Sequence, residues 1–277
     1  MQRSGLTRLK SLPKRKAEFI EPMDCVPVTK LLDGPGWVYE IKLDGYRAVA
    51  IKYGDSIDLF SRRRKSFVSQ YPYIVEALRD LPEGTVVDGE IVALDDAGKP
   101  KFNLLSQYRS RASNICYFIF DLLICQNRDL TKLPLSDRRE LVKSHLKFYS
   151  PRIRIAEQFE ASANDMLAAV RQQKLEGVIG KRKDSLYQPG KRTGAWIKYR
   201  VNRGQELVIG GYIPGPHGFD SLIVGYYRGK DLVCVARVRN GFVPASRRQV
   251  FEKISAFGFL DDAFRQSAGH AQVAVGR

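Results

Sequence analysis

W-V-Y-E-I-K-L-D-G-Y-R-A-V-A, residues 37–50, is the most informative segment of this 277-residue chain. Apolar residues recur on both sides of Asp44-Gly45 in a pattern typical of β-strands. Asp-Gly is a frequent turn dipeptide, so the segment predicts two strands joined by a hairpin or a tight loop. Lys42 lies at the predicted junction of the first strand and the turn.

The segments downstream of this stretch predict a mixed α+β domain. Buried strands alternate with amphipathic helices up to about Arg203, and the region from Glu176 to Arg200 predicts strand, basic loop, strand. The predicted strands are 57–61, 84–94 and 114–125, and the predicted helices are 73–81, 136–147 and 161–174.

The character of the chain changes after Arg203. Short segments rich in Val, Ile and Tyr are separated by Gly and Pro, which indicates a small all-β barrel. A helix is predicted for Arg247–Phe257. We therefore expect a domain boundary near Asn202–Gly204.

The net charge favours a polyanionic partner. The chain has 46 Lys and Arg against 30 Asp and Glu, a net charge of +16. Such a surplus favours nucleic acid, because phosphate contacts release condensed counterions. The alternative on charge alone is a soluble basic protein with no such partner.

Other features of the composition exclude several classes of protein. The longest apolar run, Ile115–Cys125, is too short for a membrane span and contains Asp121. The four cysteines are scattered, which fits a reducing cytoplasm and gives no zinc spacing. Residues 1–18 are basic without an apolar core, so we expect a disordered arm or linker rather than a secretory signal, although the composition also suits a transit peptide.

The segment K-L-D-G-Y-R, residues 42–47, resembles the nucleotidyl-lysine motif of the covalent nucleotidyltransferases, the superfamily of DNA ligases, RNA ligases and mRNA capping enzymes. Five further segments resemble the other motifs of that superfamily in order, and the match as a whole extends from about Phe19 to Arg203. They are Ser61-Arg62-Arg63, Asp88-Gly89-Glu90, Phe120–Leu123, Glu176-Gly177-Val178 and Trp196-Ile197-Lys198. F-I-E-P-M at 19–23 and the stretch from 37 to 48 are most similar to bacterial ATP-dependent DNA ligases of the end-joining type.

The resemblance implies an α+β fold and two domains. The first, 19–203, would be an ATP-grasp-like nucleotidyltransferase domain of antiparallel sheets with flanking helices. The second, 204–277, would be an oligonucleotide-binding (OB) type β-barrel that is truncated or divergent, since the basic R-x-D-K motif of the family is absent. From this we expect weak self-adenylylation with sealing of pre-adenylylated nicks retained.

The resemblance also implies the chemistry. Lys42 would be the nucleophile that attacks the α-phosphate of ATP, and Lys198 would stabilise the developing charge. A lysine amine must be neutral to attack, which costs roughly 4–5 kcal/mol at pH 7 from its reference pKa. Glu90 and Glu176 would hold Mg²⁺ or Mn²⁺, because carboxylate oxygens are suitable ligands for such ions.

The remaining site residues take their expected roles from the same resemblance. Glu40 and the backbone of Ile41 would bind the adenine amino group, and Phe120 and Val178 would stack on the two faces of the base. The ribose and phosphates would be held by Arg47, Arg62, Glu90 and Arg192. The family has a second lysine where this chain has Arg200.

The expected partner is nicked or broken double-stranded DNA. Its backbone would be bound by basic residues without sequence preference, and these are Arg63, Arg64, Lys65, Lys181, Arg182, Lys183, Arg237 and Arg239. An end-binding repair factor is a further expected partner, and we expect a monomer in the bacterial cytoplasm, associated with the nucleoid. The alternatives are an RNA ligase or capping-type enzyme, and a catalytically weak DNA-binding subunit.

Overall fold

The computed structural model describes residues 9–106, 114–201 and 207–255. The chain divides into two compact units, Met1–Val201 and Asn202–Arg277. The predicted boundary at 202–204 and the C-terminal tail lie outside the described residues, and the functional ranges 19–203 and 204–277 stay a prediction.

The first unit contains two β-sheets. The strands are β1 Val26–Pro27, β2 Trp37–Ile41, β3 Tyr46–Tyr53, β4 Ser56–Ser61, β5 Thr85–Leu94, β6 Asn114–Cys125, β7 Arg128–Asp129, β8 Ile153–Ile155, β9 Gly177–Arg182 and β10 Trp196–Arg200. Strands β1, β10, β9 and β2, in that order, form a four-stranded sheet, and β4, β3, β5, β6 and β7 form a second sheet in which β8 also pairs with β6.

The three helices predicted for the first unit lie close to their predicted positions, and a short helix at Phe102–Ser106 was not predicted. Those of the first unit are α1 Pro72–Ala77, followed by a 3₁₀ turn at Leu78–Asp80, α2 Phe102–Ser106, α3 Leu135–His145 and α4 Ala163–Gln172. Ser162 caps α4, because its hydroxyl oxygen accepts a hydrogen bond from the Asp165 amide at 3.1 Å. None of the described helices has the length and apolar character needed to cross a membrane.

The two sheets pack face to face around a shared core. Val38 and Trp196 from the four-stranded sheet meet Val49 and Leu123 from the larger sheet in one buried cluster. Helices α1 and α3 cover the outer face of the larger sheet, and α4 covers the outer face of the smaller one. The layers are thus helix, sheet, sheet and helix, and any cleft between the sheets is lined by strands from both.

The predicted hairpin around Asp44-Gly45 is wrong, and the tight-loop alternative holds. Strand β2 pairs with β9 in the smaller sheet, whereas β3 pairs with β4 and β5 in the larger one. The loop 42–45 therefore crosses from one sheet to the other. A Cβ atom on Gly45 would overlap the carbonyl oxygen of Ile91, so this crossing requires glycine.

Residues 9–18 do not form the predicted disordered arm. Leu9 and Ala17 are buried in the cores of the first unit. The Arg15 amide donates to the Asn127 carbonyl at 2.9 Å, and its guanidinium lies 3.2 Å from the Asp129 carboxylate. The basic composition suggested solvation, but two well-spaced apolar residues attach the segment to the domain. Residues 1–8 lie outside the described part of the chain.

The second unit consists of an antiparallel meander and a helix. The strands are β11 Val208–Gly215, β12 Gly218–Arg228 and β13 Asp231–Val238, and the helix is α5 Pro244–Ile254. Phe219, Leu222 and Val224 of β12 pack against α5. Within residues 207–255 the predicted barrel is therefore an open, OB-like three-stranded sheet.

Candidate active site

A cleft of about 190 Å³ lies between the two sheets of the first unit. Strands β2, β9 and β10 provide one side of it, and β3, β5 and β6 provide the other. Its polar lining is rich in charge and consists of Asp24, Glu40, Lys42, Arg47, Arg62, Glu90, Lys181 and Lys198, with Cys25, Ile41, Leu43, Phe120, Ala156, Ile179 and Trp196 completing it.

Lys42 begins the crossing loop and points into this cleft. Its amide donates to the Gly177 carbonyl at 2.9 Å, which prolongs the pairing of β2 with β9. Its Nζ lies 2.6 Å from Oε2 of Glu176, and both side chains are mostly buried. The other carboxylate oxygen of Glu176 lies 3.3 Å from Nε of Arg200. One carboxylate therefore holds the candidate nucleophile and the arginine at the position where the family has a lysine.

Glu90 lies on β5 directly opposite Arg47 on β3. Burial raises the pKa of Glu90 to about 7, although the positive charges of Arg47 and Lys42 oppose this shift. A carboxyl group with such a pKa, next to a candidate nucleophile, is a feature of functional sites.

Arg47 is held in place by groups to which the sequence analysis assigned no role of their own in the site. Its Nε and Nη2 each donate to the Asp88 carboxylate at 2.6 Å, and Nη2 also donates to the Met23 carbonyl at 3.1 Å. The Tyr187 hydroxyl donates to Asp88 at 2.6 Å. Asp88 was expected only as part of a motif or a turn, but it is fully buried and orients Arg47 towards the cleft.

One part of the cleft, around Lys181 and Glu40, contains a buried ion pair. Lys181 Nζ lies 2.7 Å from Glu40 Oε2, and the two side chains are 2% and 5% exposed. Gln158 donates to the other carboxylate oxygen of Glu40 at 3.0 Å. Lys181 Nζ also lies 4.3 Å from the ring centroids of Phe120 and Trp196, at distances typical of cation–π contacts. Burial lowers the pKa of Lys181, and the charge of Glu40 opposes this shift.

Two predictions for β9 are corrected by this geometry. Lys181 was expected to bind DNA, but it is buried in the cleft and paired with Glu40. Val178 was expected to stack on the base, but its side chain is buried with Ile197 and Val170 beneath the opposite face of the sheet. Side chains alternate along a strand, so Ile179 lines the cleft in its place.

Arg62 and Arg192 come together on one carboxylate at the mouth of the cleft. Asp24 Oδ2 accepts from Nη2 of Arg62 at 2.6 Å and from Nη2 of Arg192 at 3.2 Å. Lys198 lines the cleft from β10. The cations that were expected to bind phosphate thus lie at or beside the cleft, and nothing in the sequence indicated that Asp24 joins two of them.

The arginines of α3 fix the strand that carries Phe120. Arg139 Nη1 donates to the Phe120 carbonyl at 3.0 Å, and its Nη2 donates to the carbonyl of Ala156, another residue of the cleft. Arg138 forms a fully buried, bidentate pair with Asp121 at 2.8 and 2.7 Å. Sequence reasoning missed both arginines, because the start of an amphipathic helix is usually solvated.

The other residues predicted to bind DNA lie at the surface of their units. Arg63, Arg64 and Lys65 are exposed in the loop after β4. Arg182 pairs with Asp184 and Lys183 with Glu160. In the second unit Arg237 and Arg239 both pair with Asp220, at 3.1 and 2.9 Å. Their contact with DNA stays a prediction.

The residues of the cleft fit a divalent cation of the magnesium type. Among the described residues, no cluster of three or more His, Cys, Asp or Glu side chains could form a protein-only metal site. Mg²⁺ usually takes one or two carboxylates and completes its shell with water and substrate phosphates. Glu90 and Glu176, which influence each other electrostatically, provide such a pair beside Lys42.

Comparison with known proteins places this geometry in a family. The family model described as the ATP dependent DNA ligase domain matches residues 21–200. The chain is 34% identical over 211 residues to the multifunctional non-homologous end joining protein LigD of Mycolicibacterium smegmatis, covering 74% of this chain and 27% of that protein. For the LigD protein of Pseudomonas aeruginosa the identity is 33% over 229 residues, covering 79% and 27%. The chain thus spans about a quarter of the length of these relatives.

Solved structures agree with the sequence comparison. Mycobacterial DNA ligase D complexed with ATP and MES superimposes with a TM-score of 0.61 at 31% identity, covering 86% of this chain and 78% of that one. The ligase domain of M. tuberculosis LigD gives a TM-score of 0.57 at 30% identity, covering 84% and 77%. The predicted α+β fold class and the predicted resemblance are confirmed.

Proposed function

Since the chain belongs to the ATP-dependent DNA ligase family, we propose that it joins DNA strands through an AMP group carried on Lys42. The observation that supports this most strongly is the Lys42 amine in the inter-sheet cleft, 2.6 Å from the Glu176 carboxylate. The chain spans about a quarter of its LigD relatives, so the substrate and the biological role below belong to the proposal.

In the first step the Lys42 amine would attack the α-phosphorus of ATP. A nitrogen–phosphorus bond forms, the bond from the α-phosphorus to the bridging oxygen of the β-phosphate breaks, and pyrophosphate leaves. The amine must lose a proton to react, and the Glu176 carboxylate is a proton acceptor at hydrogen-bond distance. A divalent cation held by Glu90 and Glu176, Mg²⁺ or Mn²⁺, would supply positive charge against the phosphates.

The second and third steps would use the same cleft. AMP passes from Lys42 to a 5′-phosphate of DNA, and an adjacent 3′-hydroxyl then attacks that phosphate while AMP leaves. Lys198, which lines the cleft on β10, would stabilise negative charge on the phosphates, since a fixed cation in an enclosed site acts without reorganisation.

The part of the cleft that contains the Lys181–Glu40 pair suits adenine. Phe120 and Ile179 would contact the faces of the base, and the Glu40 carboxylate and the Ile41 backbone would accept from its amino group. Guanine presents a carbonyl oxygen at the position of that amino group, and this oxygen would face the negative charge of Glu40. The fixed Lys181–Glu40 pair would therefore favour ATP over GTP.

The sugar and phosphate positions follow from the fixed arginines. Arg47, oriented by Asp88, and Glu90 would bind ribose. Arg62 and Arg192 would bind phosphates at the mouth of the cleft. In this proposal the nucleotide would lie with its base beside Glu40 and its phosphates beside Lys42 and Lys198.

The proposed setting is the repair and recombination of DNA in the bacterial cytoplasm, near the nucleoid. The relatives are named as non-homologous end joining proteins, which favours broken or nicked duplex DNA as substrate and an end-binding factor as partner. We propose a monomer, and we prefer a DNA substrate to the RNA ligase and capping alternatives because the family model is that of DNA ligases.

Two assays with matched variants test the proposal. Protein incubated with magnesium and ATP labelled at the α-phosphate should become covalently labelled, and Lys42→Arg should abolish the label while keeping the positive charge. Lys99→Ala, which removes an exposed lysine, is the control. Sealing of a nick that already carries AMP should persist in Lys42→Arg, which would show that the variant is folded. The role of Lys42 would be refuted if Lys42→Arg or Lys42→Ala took up as much label as wild type, or sealed nicks with ATP as well as wild type.

A further inference from the structure

Asp24 occupies the two arginines that are expected to bind phosphate. Its Oδ2 atom accepts from Arg62 at 2.6 Å and from Arg192 at 3.2 Å. The Asp24 side chain is 20% exposed, whereas the arginines are 55% and 49% exposed. The Asp24 amide donates to the Lys191 carbonyl at 2.9 Å, which fixes the backbone of Asp24 beside Arg192.

This arrangement resembles an occupied anion site. Guanidinium groups bind carboxylates and phosphates through the same fork of donors, so a carboxylate oxygen shared by two arginines stands where a phosphate oxygen would stand. Asp24 and Arg62 both line the cleft that holds Lys42. A phosphate that enters this position must displace the carboxylate or lie beside a charge of the same sign.

The Asp24 carboxylate should affect both the binding of ATP and the release of pyrophosphate. It lowers the affinity for the β- and γ-phosphates of ATP, whose binding is supported by other contacts along the nucleotide. After AMP is transferred to Lys42, pyrophosphate has lost those other contacts. The same repulsion then favours its departure and reduces reversal of the step.

We propose that Asp24 is a positioning residue that competes with the phosphates of ATP and with pyrophosphate for Arg62 and Arg192, and that it speeds the release of pyrophosphate. The proposal rests on the proposed ligase function, since it requires a nucleoside triphosphate in the cleft. Asp24 would thus repel the phosphates that the surrounding cations attract.

The test measures pyrophosphate binding to the full chain by calorimetry, without divalent metal and at low salt. Asp24→Asn should bind pyrophosphate at least about fivefold more tightly, because a like charge about 4 Å away costs on the order of 1 kcal/mol even at the dielectric constant of water. Asp24→Glu should stay near wild type. The matched control is Asp220→Asn, which frees two arginines in the second unit and changes the net charge equally.

A second readout is reversal of the first step. Protein adenylylated on Lys42 is mixed with pyrophosphate and the loss of label is followed. Asp24→Asn should reach half of its maximal reversal rate at a several-fold lower pyrophosphate concentration than wild type, and this shift should shrink with added salt. A merely structural role for Asp24 would instead weaken pyrophosphate binding, because the arginines would lose their fixed positions.

The outcomes separate this inference from the proposed function. Pyrophosphate affinity in Asp24→Asn that equals or falls below that of wild type would overturn the inference, as would an equal gain in Asp220→Asn. Thermal melting would show that the variants are folded, and Asp24→Ser provides a second neutral variant if Asp24→Asn is not. Absence of ATP-derived label on wild-type Lys42, together with failure to seal a nick that already carries AMP, would instead overturn the ligase proposal.

Discussion

Lys181→Met tests the buried ion pair between Lys181 and Glu40 in the cleft. Methionine has nearly the length of lysine but carries no charge, so the substitution leaves the Glu40 carboxylate buried without its counter-charge, with the Gln158 amide still donating to it. Removing one partner of a buried pair costs about 3–5 kcal/mol, because the remaining charge is left without its counter-charge. The lost contacts of Lys181 with Phe120 and Trp196 act in the same direction.

The double variant Lys181→Met/Glu40→Gln distinguishes an uncompensated charge from lost packing. Since it removes both charges and keeps the shape of the site, we expect it to recover most of the stability lost in Lys181→Met. Its selectivity for ATP over GTP should nevertheless fall, because a neutral amide can donate to the carbonyl oxygen of guanine. The pair is therefore expected to matter more for base selection than for stability.

The assay is urea denaturation followed by tryptophan fluorescence. Both tryptophans of the chain, Trp37 and Trp196, lie in the first unit, and Trp196 contacts Lys181 directly. The signal therefore reports the unit that contains the cleft. A loss below about 1 kcal/mol in Lys181→Met, or a double variant whose loss equals the sum of the two single losses, would refute the reasoning.

Three further predictions follow from contacts of the cleft. Because the pKa of Glu90 is raised to about 7 in the folded protein, the stability that this group contributes is full below about pH 4.5 and is lost as the pH rises through about 7. The free energy of unfolding, measured with a chelator present, should therefore fall by up to about 3 kcal/mol over this pH range. Glu90→Gln should remove that pH dependence. Gly45→Ala should reduce Lys42 labelling by at least tenfold, since a Cβ would displace the crossing loop from Ile91; unchanged labelling would argue against a tight crossing. Arg139→Lys, which cannot donate to two carbonyls in the same geometry, should raise the KM for ATP several-fold with little change in kcat, and a change in kcat alone would contradict a role in positioning Phe120.

The sequence allowed most of the elements, and the grouping of Lys42 with Glu176, to be predicted, because each motif carries its residues on a short local pattern. The strand Asn114–Cys125 has its predicted bounds. Lys42 and Glu176 were expected to act in one site, and they lie in contact across 134 positions of the chain. Motif order carried this information, since residue types alone do not indicate which distant strands are neighbours.

Features that depend on strand pairing were harder to predict. The Asp44-Gly45 turn suggested a hairpin, yet β2 and β3 pair with different, distant strands, and local turn chemistry does not determine the partner. Lys181 was assigned to DNA because charge normally marks a surface, whereas Glu40 compensates its burial. Val178 and Ile179 differ by one position, and only the register of β9 decides which of them lies in the cleft.

The crossing of residues 42–45 from one sheet to the other has a mechanical consequence. The candidate nucleophile extends from the smaller sheet, while Arg47 and Glu90 belong to the larger one. In the proposed reaction, the spacing between the sheets would therefore set the distance between the Lys42 amine and a sugar held by Arg47 and Glu90. Side chains between the layers, such as Val49 and Leu123, act as spacers, so a change in their volume would alter catalytic alignment without touching any ligand.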